Sequence, residues 1–163
     1  MSRALLLLGG NIGDRKNFLD EACALIDKEI GQVTKSSSVY ESEPWGFSSD
    51  QQFLNQVVVV ESELSPNEML DEIHIIEAKL GRKRSSAGYQ SRTMDIDILF
   101  YDDLMVNESD LVIPHPRLHE RRFTLLPLAE IAGDFIHPVL SESMDALAEE
   151  CSDTSKVELI NKN

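Results

Sequence analysis

Residues Ser91-Arg92-Thr93-Met94-Asp95-Ile96-Asp97-Ile98-Leu99-Phe100-Tyr101 carry the reading from which the rest of the chain follows. From Asp95 onward, Ile96, Ile98 and Phe100 alternate with Asp95, Asp97, Leu99 and Tyr101, the period of a β-strand with one face toward a core. Both carboxylates then point the same way. Their Cα atoms lie roughly 6.5–7 Å apart at the usual rise, so the two groups can converge on one cation or hold two bridged ones. Without cations they repel. A bare Asp-x-Asp is more often a solvated strand face, and the neighbouring residues must decide between the two.

On the N-terminal side, Arg82 to Gln90 forms a cationic loop. The helix before it opens on the capping box Ser65-Pro66-Asn67-Glu68 and ends at Gly81, with Met69, Leu70, Ile73, Ile76 and Leu80 as its apolar arc. Glu77 falls inside that arc and His74 at its margin. A carboxylate there needs a partner: either a structural ion pair with Arg82 or Arg84, or a ligand. Further upstream, Phe53 to Glu61 reads as a strand, with Val57 to Val60 buried on both faces. Asn55 interrupts its apolar end, either as an edge residue or as an amide able to pair with a heterocycle. Val33 to Tyr40 reads as another strand, followed by a loop over Glu41 to Phe47 that holds the only tryptophan, Trp45, as core plug or ligand wall.

Ala4 to Leu8 is a central strand expected to leave through a turn at Gly9-Gly10-Asn11. Asp14 caps the next helix, whose stripe is Phe18, Leu19, Ala22, Leu25 and Ile26, and Gly31 ends it. The glycines lack both P-loop and Rossmann spacing. Beyond Tyr101 come a turn at Asp102-Asp103, a short arm over Leu104 to Val106, a strand over Leu111 to Ile113, and the basic stretch His115 to Phe123. Helices over Thr124 to Ile131 and near Met144 to Glu149 follow. The tail after Pro138 shows nothing chemical.

The order β-α-β-β-α-β, then a small β arm and C-terminal helices, is that of an α+β, ferredoxin-like fold with an antiparallel sheet, here as one domain over 1–163. A net charge of −14 disfavours nucleic acid and anionic membrane, yet six of the eight arginines fall between residues 82 and 122. Two cysteines make no disulfide framework, and no apolar run reaches the length of a membrane span, so a cytoplasmic protein is expected. Paired carboxylates, clustered arginines and an aromatic loop on one rim are the parts of phosphoryl transfer, which relies on positioning and charge neutralisation.

The strings GGNIGD (Gly9 to Asp14), SSVYESEPWG (Ser37 to Gly46), FLNQVV (Phe53 to Val58), EAKLGRKR (Glu77 to Arg84), SRTMDIDILFYDD (Ser91 to Asp103) and IPHPRLHERRFTLLPLAEIA (Ile113 to Ala132) together resemble the 6-hydroxymethyl-7,8-dihydropterin pyrophosphokinases, from about Leu5 to Pro138. The resemblance implies transfer of pyrophosphate from ATP to the pterin hydroxymethyl group, releasing AMP, in folate biosynthesis. It implies two Mg²⁺ ions on Asp95 and Asp97, turnover tied to Arg82 and Arg92, and an ATP site of His74, Glu77, Arg84, Arg92, Ile98, His115 and Arg121. It implies a pterin pocket of Ser42, Pro44, Trp45, Phe53, Asn55 and Phe123. Substrates are small molecules and the expected state is a monomer. The chain departs from the family at Ala87 to Ser91, where many members carry Arg/Glu-Trp-Gly-Pro before the arginine and this chain has Gly88-Tyr89-Gln90-Ser91, and at His74, where glutamine is common. Two other readings use the same residues: a two-metal phosphoester hydrolase, and a non-catalytic nucleotide-binding module.

Overall fold

The computed structural model describes residues 1–44, 51–81 and 94–161. In chain order the elements are β1 (Ser2–Gly10), α1 (Arg15–Glu29), β2 (Gln32–Ser36), β3 (Val39–Ser42), β4 (Phe53–Ser62), α2 (Pro66–Lys79), β5 (Asp95–Tyr101), β6 (Val106–Asn107) and β7 (Val112–Ile113). A 3-10 turn (Leu118–Glu120), α3 (Arg122–Ala132), α4 (Met144–Glu150) and β8 (Val157–Asn161) complete the chain. The sheet runs β5-β1-β4-β3-β8, with β2 also paired to β4 and every pairing antiparallel. This is the ferredoxin-like order, extended by one strand at the β3 edge.

Leu and Val runs fill the central strands because helices cover both faces. Leu6, Leu8, Val58 and Val60 pack against α1 and α2, while Leu5, Leu7, Val57 and Val59 pack against α3 and α4. The local signals hold where expected. The Asp14 side chain accepts from Asn17 N at the start of α1, and Ser65 with Glu68 forms the reciprocal capping box of α2.

Four details differ from the sequence reading. First, β1 continues through Gly9 and Gly10, which pair with Asn55 and Leu54, and the chain turns instead at Gly13 (φ 71°). Second, the strand expected over Val33 to Tyr40 is two strands. They are separated at buried Ser37, whose Oγ accepts from Val57 N at 2.9 Å and donates to the Ser38 carbonyl at 2.8 Å. Third, the alternation in β5 fails at its end. Ile98 pairs with Leu6 and Phe100 with Leu5, leaving Leu99 as the extra residue of a β-bulge. Leu99 and Phe100 therefore both face α3 and α4, and Tyr101 turns to the α1 and α2 side, where its hydroxyl donates to the Leu64 carbonyl at 2.7 Å. The bulge lies beyond Asp97, so the two aspartates still share one face, the α3 face opposite Ile96 and Ile98. Fourth, the tail contributes β8.

Candidate active site

Strand register gathers the expected site at one end of the sheet. Asp95 pairs with Gly9, Gly9 with Asn55, and Asn55 with Tyr40, so one row crosses four strands. Residues opposite one another in an antiparallel sheet project to the same face. For this row that face is the α3 side, shown by the Tyr40 hydroxyl donating to the α3 carboxylate of Glu130 at 2.7 Å. Gly9 puts no side chain between Asn55 and Asp95. A Cβ there would stand 3.3 Å from Asn55 Oδ1 and 3.9 Å from the Phe53 ring.

On the β4 side, Asn55 is buried and its amide nitrogen donates to Ser42 Oγ at 2.8 Å and to the Tyr40 carbonyl at 3.3 Å. Those bonds fix the amide plane and aim Oδ1 toward the Gly9 gap. Ser42 pairs with Phe53, so both lie on the face of Asn55, and half-buried Pro44 follows two residues later. The segment returning into β4 is pinned by the β1–α1 connection. Asn11 Nδ2 donates to the Gln51 carbonyl at 3.1 Å, and Arg15 Nη1 lies 2.8 Å from both Glu41 Oε2 and the Gln52 carbonyl. Asn11 and Arg15 thus tie the β1–α1 connection to Glu41, Gln51 and Gln52.

On the β5 side, Asp95 and Asp97 are half-buried. Glu77 is 1% exposed, and its Oε2 accepts from Ile96 N at 2.9 Å. β5 is an edge strand, so this carboxylate satisfies an outward N–H between the two aspartates. His115 runs alongside, its N–H donating to the Leu99 carbonyl at 3.0 Å. Burial, then the positive charge of Arg121, push the His115 imidazole down from 6.5 to about 4, against the pull of Asp95 and with a further push from Arg117. His115 is therefore a neutral ring, within the fields of both Arg121 and Asp95. Arg121 is itself buried, with its guanidinium 5.6 Å from the Phe123 ring centre at the start of α3.

The α3 face thus brings together Ser42, Phe53, Asn55, Asp95 and Asp97, with Phe123 packed against its apolar cluster. His74, Glu77 and Ile98 lie on the opposite side: Ile98 and Glu77 are buried and His74 half-buried, three residues before Glu77 on α2. Glu77 reaches the site through its bond to Ile96 N of β5. Arg82, Arg84, Arg92, Trp45 and the departure at Gly88 to Ser91 fall outside the described residues. Among the described residues no group of three or more His, Cys, Asp or Glu side chains forms a metal cage. Two carboxylates on one open face fit Mg²⁺, which keeps waters and takes substrate phosphate oxygens, better than a closed zinc site.

The chain as a whole has relatives among known proteins. A model of the 7,8-dihydro-6-hydroxymethylpterin-pyrophosphokinase family matches residues 5–133. The chain belongs to this family. It is 43% identical over 129 residues to 2-amino-4-hydroxy-6-hydroxymethyldihydropteridine pyrophosphokinase of Bacillus subtilis, covering 78% of this chain and 77% of the relative. It is 40% identical over 141 residues to the protein of that name from Porphyromonas gingivalis, covering 85% and 95%. In fold it resembles the wild-type HPPK-DHPS of Plasmodium falciparum with STZ-DHP, at TM-score 0.75 and 19% identity. That match covers 91% of this chain and 43% of the solved one, so the chain spans under half of that longer protein. The family match ends at residue 133, before α4 and β8.

The sequence reading took Gly9 for a turn residue and assigned no role to Arg15, Glu130 or Asp153. Gly9 had a signal, since a glycine inside an apolar strand marks a close approach. The others act across 26 to 92 residues of sequence and leave no periodic trace.

Proposed function

We propose that this family member transfers pyrophosphate from ATP to the hydroxymethyl oxygen of 6-hydroxymethyl-7,8-dihydropterin, releasing AMP, as a step in folate biosynthesis. The observation that supports this reading is the Asp95–Gly9–Asn55 row, which puts the Asp95 carboxylate and the Asn55 amide on one face with no side chain from Gly9 between them. The pterin hydroxyl oxygen forms a bond to the β-phosphorus of ATP and gives up its proton to solvent, the bond from that phosphorus to the α–β bridging oxygen breaks, and AMP leaves with that oxygen.

Asn55, fixed by Ser42, reads the pterin edge. Phe53, Phe123, Pro44 and Trp45 enclose the ring. Arg121, with Arg82, Arg84 and Arg92, holds the phosphates in bidentate contacts and excludes water from them. Glu77 keeps β5 in line, and His74, Ile98 and His115 flank the nucleotide at the β5 edge. Asp95 and Asp97 would hold Mg²⁺, two ions in this reading, which supplies neutralisation of phosphate charge. The protein acts on small molecules, as a monomer, in the cytoplasm. Both cysteines are free, and no helix among the described residues is long and apolar enough to cross a membrane.

The test is the nucleotide product from protein, ATP and Mg²⁺ with and without the pterin. AMP only in the presence of pterin supports the transfer. AMP or phosphate formed equally without it contradicts the reading and favours a hydrolase.

A further inference from the structure

The C-terminal segment, beyond the family match, touches both walls of the proposed pterin pocket. Helix α3 begins at Arg122 with no side-chain cap from its own N-cap residue, Arg121. The cap comes instead from Asp153, whose Oδ2 accepts from Arg122 N at 3.0 Å while Oδ1 accepts from Ser155 N at 2.9 Å. A carboxylate is well placed there, taking up the first N–H of the helix, which has no acceptor within the helix itself. Burial pushes the Asp153 carboxyl up, but the bonds from Ser155 and Arg122, and the Arg122 charge, hold it below its ordinary value.

Four residues on, β8 pairs with β3, setting Val157 opposite Ser42 and Leu159 opposite Tyr40. Ser42 is the residue that orients Asn55. Lys156, at the junction, is held above its ordinary pKa first by Glu158 and also by Glu43 and Glu41, the charges at the end of β3.

We propose that residues 153–161 form a strap that sets the spacing between the α3 wall, with Phe123, and the β3–β4 wall, with Ser42 and Asn55, and thereby the fit of the pterin. Asp153 is a positioning residue: it touches no substrate and acts through the first turn of α3. The inference rests on the functional reading above and adds that the tail tunes one substrate and not the other.

The test is steady-state kinetics of the full chain with each substrate varied in turn, for wild type, Asp153→Ala, Asp153→Asn and Leu159→Pro. Asp153→Ala is expected to raise the pterin KM about tenfold while the ATP KM stays within about twofold, as loss of one charge-assisted cap at the pocket wall implies. Asp153→Asn restores most of the pterin KM, because its amide oxygen still accepts from Arg122 N. Leu159→Pro, which breaks the ladder opposite Tyr40, reproduces the pterin defect and decides the matter should Asp153→Ala fail to fold. An unchanged pterin KM in an active protein, or equal rises in both KM values, overturns the strap and leaves the function standing. A wild type without pterin-dependent AMP overturns both.

Discussion

Glu77 Oε2 and Ile96 N lie 2.9 Å apart, joining the end of α2 to the residue between the two aspartates. On the side of β5 away from β1, this bond adds an anchor to the residue that lies between both carboxylates. Replacing Glu77 by Ala strands a buried N–H and is expected to cost about 1–3 kcal/mol of stability, with turnover falling further than stability alone explains. Glu77→Gln, whose amide oxygen can still accept, should recover most of both. Urea unfolding and kcat measured on the two variants check this. Equal activity in Ala and Gln would show that β5 needs no such anchor.

Gly9→Ala adds a methyl group 3.3 Å from Asn55 Oδ1, in the gap between Asn55 and Asp95. Its backbone sits in a regular strand without a positive φ, so the strain falls on the Asn55 amide, which must give by a few tenths of an ångström. The pterin KM is expected to rise about 10-fold or more, the scale of one methyl group in a tight pocket. Pterin binding at wild-type strength would mean that the substrate does not cross this row.

Much of this site was legible in the sequence because its signals are local. Asp95 and Asp97 declare their shared face by strand period, and the Asp14 and Ser65 caps declare helix starts. The bulge at Leu99 was not legible, since it depends on how β5 registers against Leu5 and Leu6. The β8 strand, with exposed Leu159 and Ile160, carries only a short apolar run whose pairing with β3 lies over a hundred residues away. Glu77 could be recognised as a buried carboxylate in search of a partner. That one partner is a main-chain N–H of β5 required the fold.

His115 supplies a pH prediction. Its folded pKa of about 4 lies below the ordinary 6.5, so between these values the unfolded chain binds the proton more readily. The stability tied to neutral His115 is complete above about pH 6.5 and is lost as pH falls toward 4. NMR titration of the ring in metal-free protein should give a midpoint near 4, and no His115 step should appear in activity between pH 6 and 8. A midpoint near 6.5 would place the ring in water.

Glu130 accepts from Ser38 N at 3.0 and 3.1 Å, from Ser38 Oγ at 2.9 Å and from the Tyr40 hydroxyl at 2.7 Å, tying α3 to β3. Glu130→Ala leaves these donors without their carboxylate and is expected to destabilise the chain by about 2–4 kcal/mol. Glu130→Gln should lose less. Chemical denaturation of both variants measures the difference, and a loss below about 0.5 kcal/mol for Ala would contradict the tie.

The most direct test of the account is single-turnover transfer by Asp97→Asn across a wide range of Mg²⁺, alongside pterin binding by the same variant. The account predicts that pyrophosphorylated pterin and AMP form at least about 10²-fold more slowly than in wild type, even at saturating Mg²⁺, while the pterin still binds. Near-normal turnover at high Mg²⁺ would contradict the assignment of the aspartate pair as the centre of the site.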